Sequence, residues 1–274
     1  MILNITSRDN SLLRRVRAVR DGKLEGLIYI EGLRLCEEAL RSGLEIDSVI
    51  FSEEIEKKER AAAVIAELGG VCNRLASVSE KLLETISYTK TPQGIVALAK
   101  RPTSGRARLE ETKAQQPLIV ILHGINNPVN VGAILRTAEA AGATGAITTH
   151  HTSDPFSPKS LRGAMGSAFR LPIWTEVAYE DVLSWCGKHE IRTVGADAQA
   201  NCLYTEIDWR DPRALIVGPE ATGLTEEEIE GADEAVRIPM QGSVESLNVG
   251  VAAAIVLYEA ARQREQRDAV SSPL

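Results

Sequence analysis

Aromatic residues are scarce: three Phe, three Trp and five Tyr make up 4% of the 274 residues. The apolar positions fall instead to Ala, Val, Ile and Leu, the composition of alternating strands and helices, so an α/β chain is expected. The four cysteines, Cys36, Cys72, Cys186 and Cys202, lie far apart and form no C-x-x-C. That argues against a zinc site or a disulfide framework and for a reducing, cytoplasmic setting. His123, His150, His151 and His189 have no metal-ligand spacing, so no metal is expected and the four read as ordinary polar residues. Neither G-x-G-x-x-G nor G-x-x-x-x-G-K-S/T occurs, which disfavours a dinucleotide or triphosphate cradle. No apolar run reaches membrane-spanning length, and Arg14, Arg15 and Arg17 stand where a signal peptide needs its apolar core. A soluble protein without a membrane partner is expected. The net charge of -7 argues against a chain coated in basic surface and leaves room for a local basic patch.

At residues 7–21, Leu12, Leu13, Val16 and Val19 recur at helical spacing with Arg14, Arg15, Arg17 and Arg20 between them. The cationic face is either simply solvated or a contact for a polyanion. Strands are expected at 27–30, 46–51, 71–75 and 95–99. Helices are expected at 33–41, near 79–84, and at 55–68, the last closed by Gly69-Gly70. This makes an α/β domain over residues 1–100, an ordinary size. Residues 101–116 break all periodicity with Pro, Ser, Gly and mixed charge and read as an interdomain linker. Residues 117–274 form the second domain.

There, Leu118–Leu122 is the continuous apolar run of a strand buried on both faces. Further strands are expected near 146–149, 192–196, 214–217 and 235–238, with helices at 179–189 and 249–261. Three loops follow strands at the edge where open α/β folds hold ligands. In the first, Asn126-Asn127-Pro128 opens a helix carrying Asn130 and Arg136. Six residues apart, these two point in different directions and can touch different parts of one large ligand; singly, Asn130 reads as a cap and Arg136 as an ion-pair partner. The second, Gly218-Pro219-Glu220-Ala221-Thr222-Gly223-Leu224, is stiffened by Pro219. It holds Glu220 as an acceptor at the strand end, or merely at the positive end of the next helix. The third runs from Ile238-Pro239-Met240 through a Gly turn to Ser246-Leu247-Asn248, where Asn248 can cap the last helix. Residues 158–172, basic and rich in small side chains, suit either close packing or contact with a polyanion.

In this order and spacing, N-N-P-V-N-V-G-A-I-L-R-T-A, G-P-E-A-T-G-L and I-P-M-Q-G-S-V-E-S-L-N-V resemble the three motifs of the SpoU/TrmH family of RNA ribose methyltransferases. The resemblance spans most of residues 118–264, and 160–172 is similar to a further segment of that family. Residues 1–100 are similar to the L30e-like RNA-binding domain of many ribosomal-RNA members. The resemblance implies a C-terminal parallel-sheet SPOUT domain with a deep trefoil knot, preceded by a smaller α/β L30e-like domain, and a homodimer. It implies S-adenosylmethionine as cofactor, with Gly218, Ile238 and Leu247 lining its pocket and Met240 close by. The implied reaction is 2'-O-methylation of a ribose in structured RNA, foremost ribosomal RNA of the 23S type. Arg136 would stand at the reacting hydroxyl, positioned with Asn130, Glu220, Ser246 and Asn248. A guanidinium is a poor free base, so stabilising the alkoxide is as good a role for Arg136 as taking the proton. Gly250 departs from the hydroxyl residue that relatives often carry, outside this core set.

RNA selection would fall to the first domain, whose first thirty residues hold six basic side chains (Arg8, Arg14, Arg15, Arg17, Arg20, Lys23) against three acidic (Asp9, Asp21, Glu25). Arg8, Arg14, Arg15 and Arg34 are the candidate RNA contacts, with Glu31-Gly32 beside Arg34. With so few aromatics, recognition of folded RNA by shape and backbone is expected over base stacking. The alternatives are a transfer-RNA ribose methyltransferase, a non-catalytic RNA-binding or assembly factor of the same fold, an enzyme methylating a base nitrogen, and most distantly a nicotinamide oxidoreductase.

Overall fold

The computed structural model describes residues 2–112 and 114–271. Two compact units emerge: one holds the chain up to Pro102 together with Phe156–Arg170, the other Thr103–Pro155 and the chain from Leu171 onward. Among the described residues no helix is long and apolar enough to cross a membrane.

The first unit contains β1 (Ile2–Ile5), α1 (Ser11–Arg20), β2 (Leu27–Glu31), α2 (Leu33–Arg41), β3 (Ile46–Ser52), α3 (Glu53–Glu56), α4 (Glu59–Val71), β4 (Arg74–Val78), α5 (Glu80–Ile86) and β5 (Ile95–Lys100). Its sheet has the order β1-β4-β3-β5-β2, with β1, β4 and β3 parallel and β5 antiparallel to both its neighbours. Leu12, Leu13, Val16 and Val19 of α1 are all buried with Tyr29, Ile50, Ala76 and Leu98 in one apolar cluster, as the helical spacing predicts. Gly69-Gly70 does not end α4, which runs on to Val71, so the following strand starts at Arg74. A Cβ on Gly69 would lie 2.9 Å from Leu75 Cδ2, so glycine serves close packing there instead of termination.

The rest of the chain adds α6 (Arg106–Glu111), β6 (Leu118–Leu122), α7 (Pro128–Ala140), β7 (Gly145–Thr149), α8 (Pro158–Ala164), α9 (Ser167–Arg170), β8 (Ile173–Val177), α10 (Tyr179–Lys188), β9 (Arg192–Ala196), β10 (Cys202–Leu203), β11 (Arg213–Val217), α11 (Glu226–Glu230), β12 (Glu234–Arg237) and α12 (Val249–Ser271). The seven strands have the order β10-β12-β9-β11-β6-β7-β8, and every neighbouring pair is parallel. All five residues of β6 are buried, as its apolar run requires. Ile119, Ile121, Ala214 and Ile216 pack with Val182, Trp185 and Cys186 of α10, while α7 and α12 pack on each other. The 101–116 stretch carries α6, anchored by the buried Leu109.

Helices α8 and α9 lie in the segment that groups with the first unit, and α8 packs on β2. Ser160, Leu161, Ala164, Ser167 and Ala168 are buried, so the small residues of this segment serve close packing. Arg170 Nη1 donates to Glu38 Oε2 at 2.7 Å, and the Arg101 guanidinium sits over the Phe156 ring at 4.6 Å. Lys159 and Arg162 stay exposed on the outside.

Candidate active site

Strands β6, β11 and β12 end on one edge of the seven-stranded sheet, which brings the three loops together. After β6, Asn127 caps α7: its side chain accepts from Val129 N at 3.0 Å, and Pro128 occupies the first turn, where no N–H is needed. Capping therefore belongs to Asn127, not Asn130. Asn130 lies inside the first turns, 8% exposed, with its side chain aimed at the other two loops. Its Nδ2 donates to Glu220 Oε1 at 2.8 Å, and its Oδ1 accepts from Asn248 Nδ2 at 3.2 Å. Asn248 Oδ1 accepts in turn from the backbone of Gly250 at 3.0 Å and Val251 at 3.3 Å, so Asn248 both caps α12 and joins the network. A carboxylate and backbone N–H groups at the two ends leave only one amide orientation for each Asn. One directional chain, Asn248 to Asn130 to Glu220, thus ties the three loops.

Beside it lies a cavity of about 330 Å³. Gly218, Ile238, Met240 and Leu247, the four cofactor residues expected from the sequence, are all on its wall, as are Glu220 and Ser246. A Cβ on Gly218 would lie 2.8 Å from Leu224 N and 2.9 Å from Gly223 C, so only glycine lets this loop fold back on its own strand. Sequence reasoning missed Asp197 and Gln199, which also line the wall. Their signal was available: they follow β9, a strand expected from its apolar pattern, on the same edge. Among the described residues the wall carries two carboxylates, Asp197 and Glu220, and no Lys or Arg. That lining fits a nucleoside bearing positive charge and offers no cradle for a pyrophosphate. Arg136 is apart from this wall, exposed on α7, with no hydrogen bond or ion pair to the described residues.

In the first unit the four candidate arginines do not converge. Arg8 follows β1 and Arg34 follows β2, the two outermost strands of the five-stranded sheet, so on the order of 19 Å separates the strands they leave. Both are exposed, as is Arg14 on α1. Arg15 is engaged: its Nη2 lies 3.1 Å from Asp47 Oδ1, a carboxylate shared with Arg74 at 3.2 Å. Glu31 is buried at 6% exposure and turned inward. It accepts from Tyr88 N at 2.9 Å, Thr89 N at 3.2 Å and Thr89 Oγ1 at 2.7 Å, which pins the loop before β5. Its carboxylate is thus engaged within the fold. The thiols of Cys36 and Cys186 are buried, and burial pushes their pKa up to about 12, which disfavours the reactive thiolate.

Residues 117–258 match the SpoU rRNA Methylase family, and residues 12–97 match the MRM3-like substrate binding domain. The chain is 35% identical to the 23S rRNA (guanosine(2553)-2'-O)-methyltransferase RlmP of Bacillus subtilis, over 84% of this chain and 86% of that protein. It is 29% identical to the 23S rRNA (uridine(2479)-2'-O)-methyltransferase of Streptomyces viridochromogenes, over 90% of this chain and 87% of that one. Among solved structures, the AdoMet-bound rRNA methyltransferase of Sinorhizobium meliloti superposes with a TM-score of 0.80 at 31% identity, covering 95% of this chain and 98% of that one. The chain belongs to the SpoU rRNA methylase family.

Proposed function

We propose that this protein transfers the methyl group of S-adenosylmethionine to a ribose 2'-hydroxyl of 23S-type ribosomal RNA. The observation that carries the reading is the Asn248–Asn130–Glu220 chain beside a cavity with no Lys or Arg among its described lining residues. The cofactor, when bound, supplies an electrophilic methyl on a sulfonium. Gly218, Ile238, Met240 and Leu247 hold it largely through backbone and apolar contact, and the Asp197 and Glu220 carboxylates favour its positive charge. Asn130, Glu220, Ser246 and Asn248 would position the ribose, and Arg136 would stabilise the alkoxide as the hydroxyl proton passes to solvent water and the thioether S-adenosylhomocysteine leaves. Proteins named for guanosine and for uridine targets are both similar to this chain, which fits a nucleotide choice made outside the transfer site. That task fits residues 1–100, with 117–274 as the transfer domain. The test is labelled methyl transfer to ribosomal RNA lacking the modification, followed by nuclease digestion. A labelled 2'-O-methylnucleoside in 23S RNA is expected; label only in transfer RNA, or on a base, overturns the reading.

RNA selection rests on Arg8, Arg14 and Arg34, whose exposed guanidinium groups are available to phosphates, more than on Arg15, already paired with Asp47. Replacing Arg14 by Ala should weaken RNA binding and lower the slope of log affinity against log salt by about 1, whereas Arg15→Ala should change the slope less. Equal slopes for the two variants would refute this ranking.

The active form is a homodimer joined through α7 and α12. Val129 is 45% exposed, Val251 48% and Tyr258 56%, and Val251 and Tyr258, seven apart, share one face of α12. Such a run of apolar surface calls for a partner, and a second copy supplies one. Sedimentation equilibrium should give twice the chain mass, and Tyr258→Glu should shift it towards one; a wild-type monomer would reject the dimer. The 238–248 segment, tied to α7 through Asn248, is where the trefoil knot of the family would be threaded. Pulling the termini apart in an optical trap should then leave the unfolded chain short of its contour length, and full extension would exclude a knot. All four cysteines are free thiols, which suits the cytoplasm where ribosomal RNA is modified; secretion of the expressed chain would contradict that placement.

A further inference from the structure

The loop 218–224 that walls the cavity is fixed at one end by β11. At its other end stands α11, which has no buried residue and so is not located by packing of its own side chains alone. Ile229 Cδ1 lies close over Gly195 of β9 and Leu224 packs against the core, and polar bonds add to these contacts. Thr225 and Glu228 form a capping box, with Glu228 N donating to Thr225 Oγ1 at 3.2 Å and Thr225 N donating to Glu228 Oε2 at 2.8 Å. The second carboxylate oxygen, Oε1, lies 2.8 Å from Nε2 of His123, the residue that follows β6. Tyr179 OH donates to the Glu228 carbonyl at 2.9 Å, and its ring lies against the imidazole at 4.6 Å between centroids.

The other ring nitrogen, His123 Nδ1, is 3.0 Å from Thr149 Oγ1, which accepts from Gly124 N at 3.2 Å and lies 3.3 Å from the His150 carbonyl. Two arrangements satisfy every group. With a neutral ring, Thr149 donates to Nδ1 and Nε2–H donates to Glu228. With an imidazolium, Nδ1–H donates to Thr149, whose hydroxyl turns to the His150 carbonyl. Nε2 donates to Glu228 in both. The same short stretch also holds the loop's other end: His123 N donates to Val217 O at 2.9 Å, and at Gly124, with φ +61°, a Cβ would lie 3.0 Å from Pro219 Cγ. Burial alone would raise the Glu228 carboxyl, but the hydrogen bonds from Thr225 and His123 outweigh it and hold the group below its ordinary value.

We propose that His123 is a positioning residue for the cofactor loop: its Nε2–Glu228 bond helps to fix α11, and through it the wall formed by residues 218–223. The inference rests on reading the cavity as the S-adenosylmethionine site. The test is the affinity for S-adenosylhomocysteine, measured by titration calorimetry, together with the methylation rate at saturating cofactor. His123→Ala should weaken binding about tenfold, the size of a lost hydrogen bond to a charged group, with a smaller fall in the saturated rate because Asn130 still holds Glu220. His123→Gln keeps a donor towards Glu228 and should recover most of the affinity. Glu228→Ala should weaken binding by a similar factor and add little on top of His123→Ala. Wild-type affinity in His123→Ala, a Gln variant as weak as the Ala variant, or additive losses in the double variant would each overturn the proposal. A wild-type chain that binds no S-adenosylhomocysteine would instead bring down the cofactor reading and this inference with it.

Discussion

Arg136→Ala is expected to lower methyl transfer to RNA about a hundred- to a thousand-fold, the usual loss for one group stabilising developing charge, while S-adenosylmethionine binds as tightly as before. The two halves of that expectation have separate grounds. The cavity wall has no Lys or Arg among the described residues, so it offers an alkoxide neutral donors but no positive charge, and the exposed Arg136 guanidinium on α7 is the cation nearest in sequence to the first loop. Because Arg136 is not on the wall, removing it leaves the cofactor's contacts untouched. Single-turnover methylation and calorimetric cofactor binding, done on one preparation, check both. Arg136→Lys keeps the charge and loses the planar fork, so an intermediate rate is expected. An unchanged rate in Arg136→Ala would remove this residue from the chemistry.

Local pattern carried much of the fold. Leu12, Leu13, Val16 and Val19 announced α1, and the unbroken run Leu118–Leu122 announced a strand covered on both faces. Elements without a pattern escaped: β1 has Ile2 and Leu3 exposed on an outer strand, and α11 buries nothing. Gly69-Gly70 misled because a glycine admitting a neighbouring side chain looks, in sequence, like one ending a helix. The site was legible as a set of residue types on three loops, and the family resemblance gave the set its meaning. What bonds to what was not legible. Asn130 is 90 residues from Glu220 and 118 from Asn248, and no local rule reports a contact across such a separation. Asp197, Gln199 and His123 carry no motif; only their place at strand ends on the shared edge marks them.

The amide chain makes a second, sharper prediction. Asn130→Asp preserves shape and replaces the Nδ2 donor with an oxygen, setting a carboxylate where 2.8 Å now separates donor from Glu220. Two carboxylates that close cannot both stay ionised, so one proton is taken up and shared. The folded-state pKa of the pair then rises above the unfolded value of about 4. A raised folded pKa contributes stability that is present below the unfolded value and lost as pH rises through the folded one. The gap in Tm between wild type and variant should therefore be small near pH 5 and widest above neutrality. Methyl transfer should follow, about a hundredfold down at neutral pH with partial recovery on acidification relative to wild type. Asn130→Ala is the control: it leaves Glu220 and the Asn248 amide without their partner at a cost of about 1–3 kcal/mol, with no proton to restore them. Its deficit should not depend on pH across the same range. If the Asp and Ala variants gave parallel pH profiles, the 2.8 Å bond would not be what holds the second loop to the first.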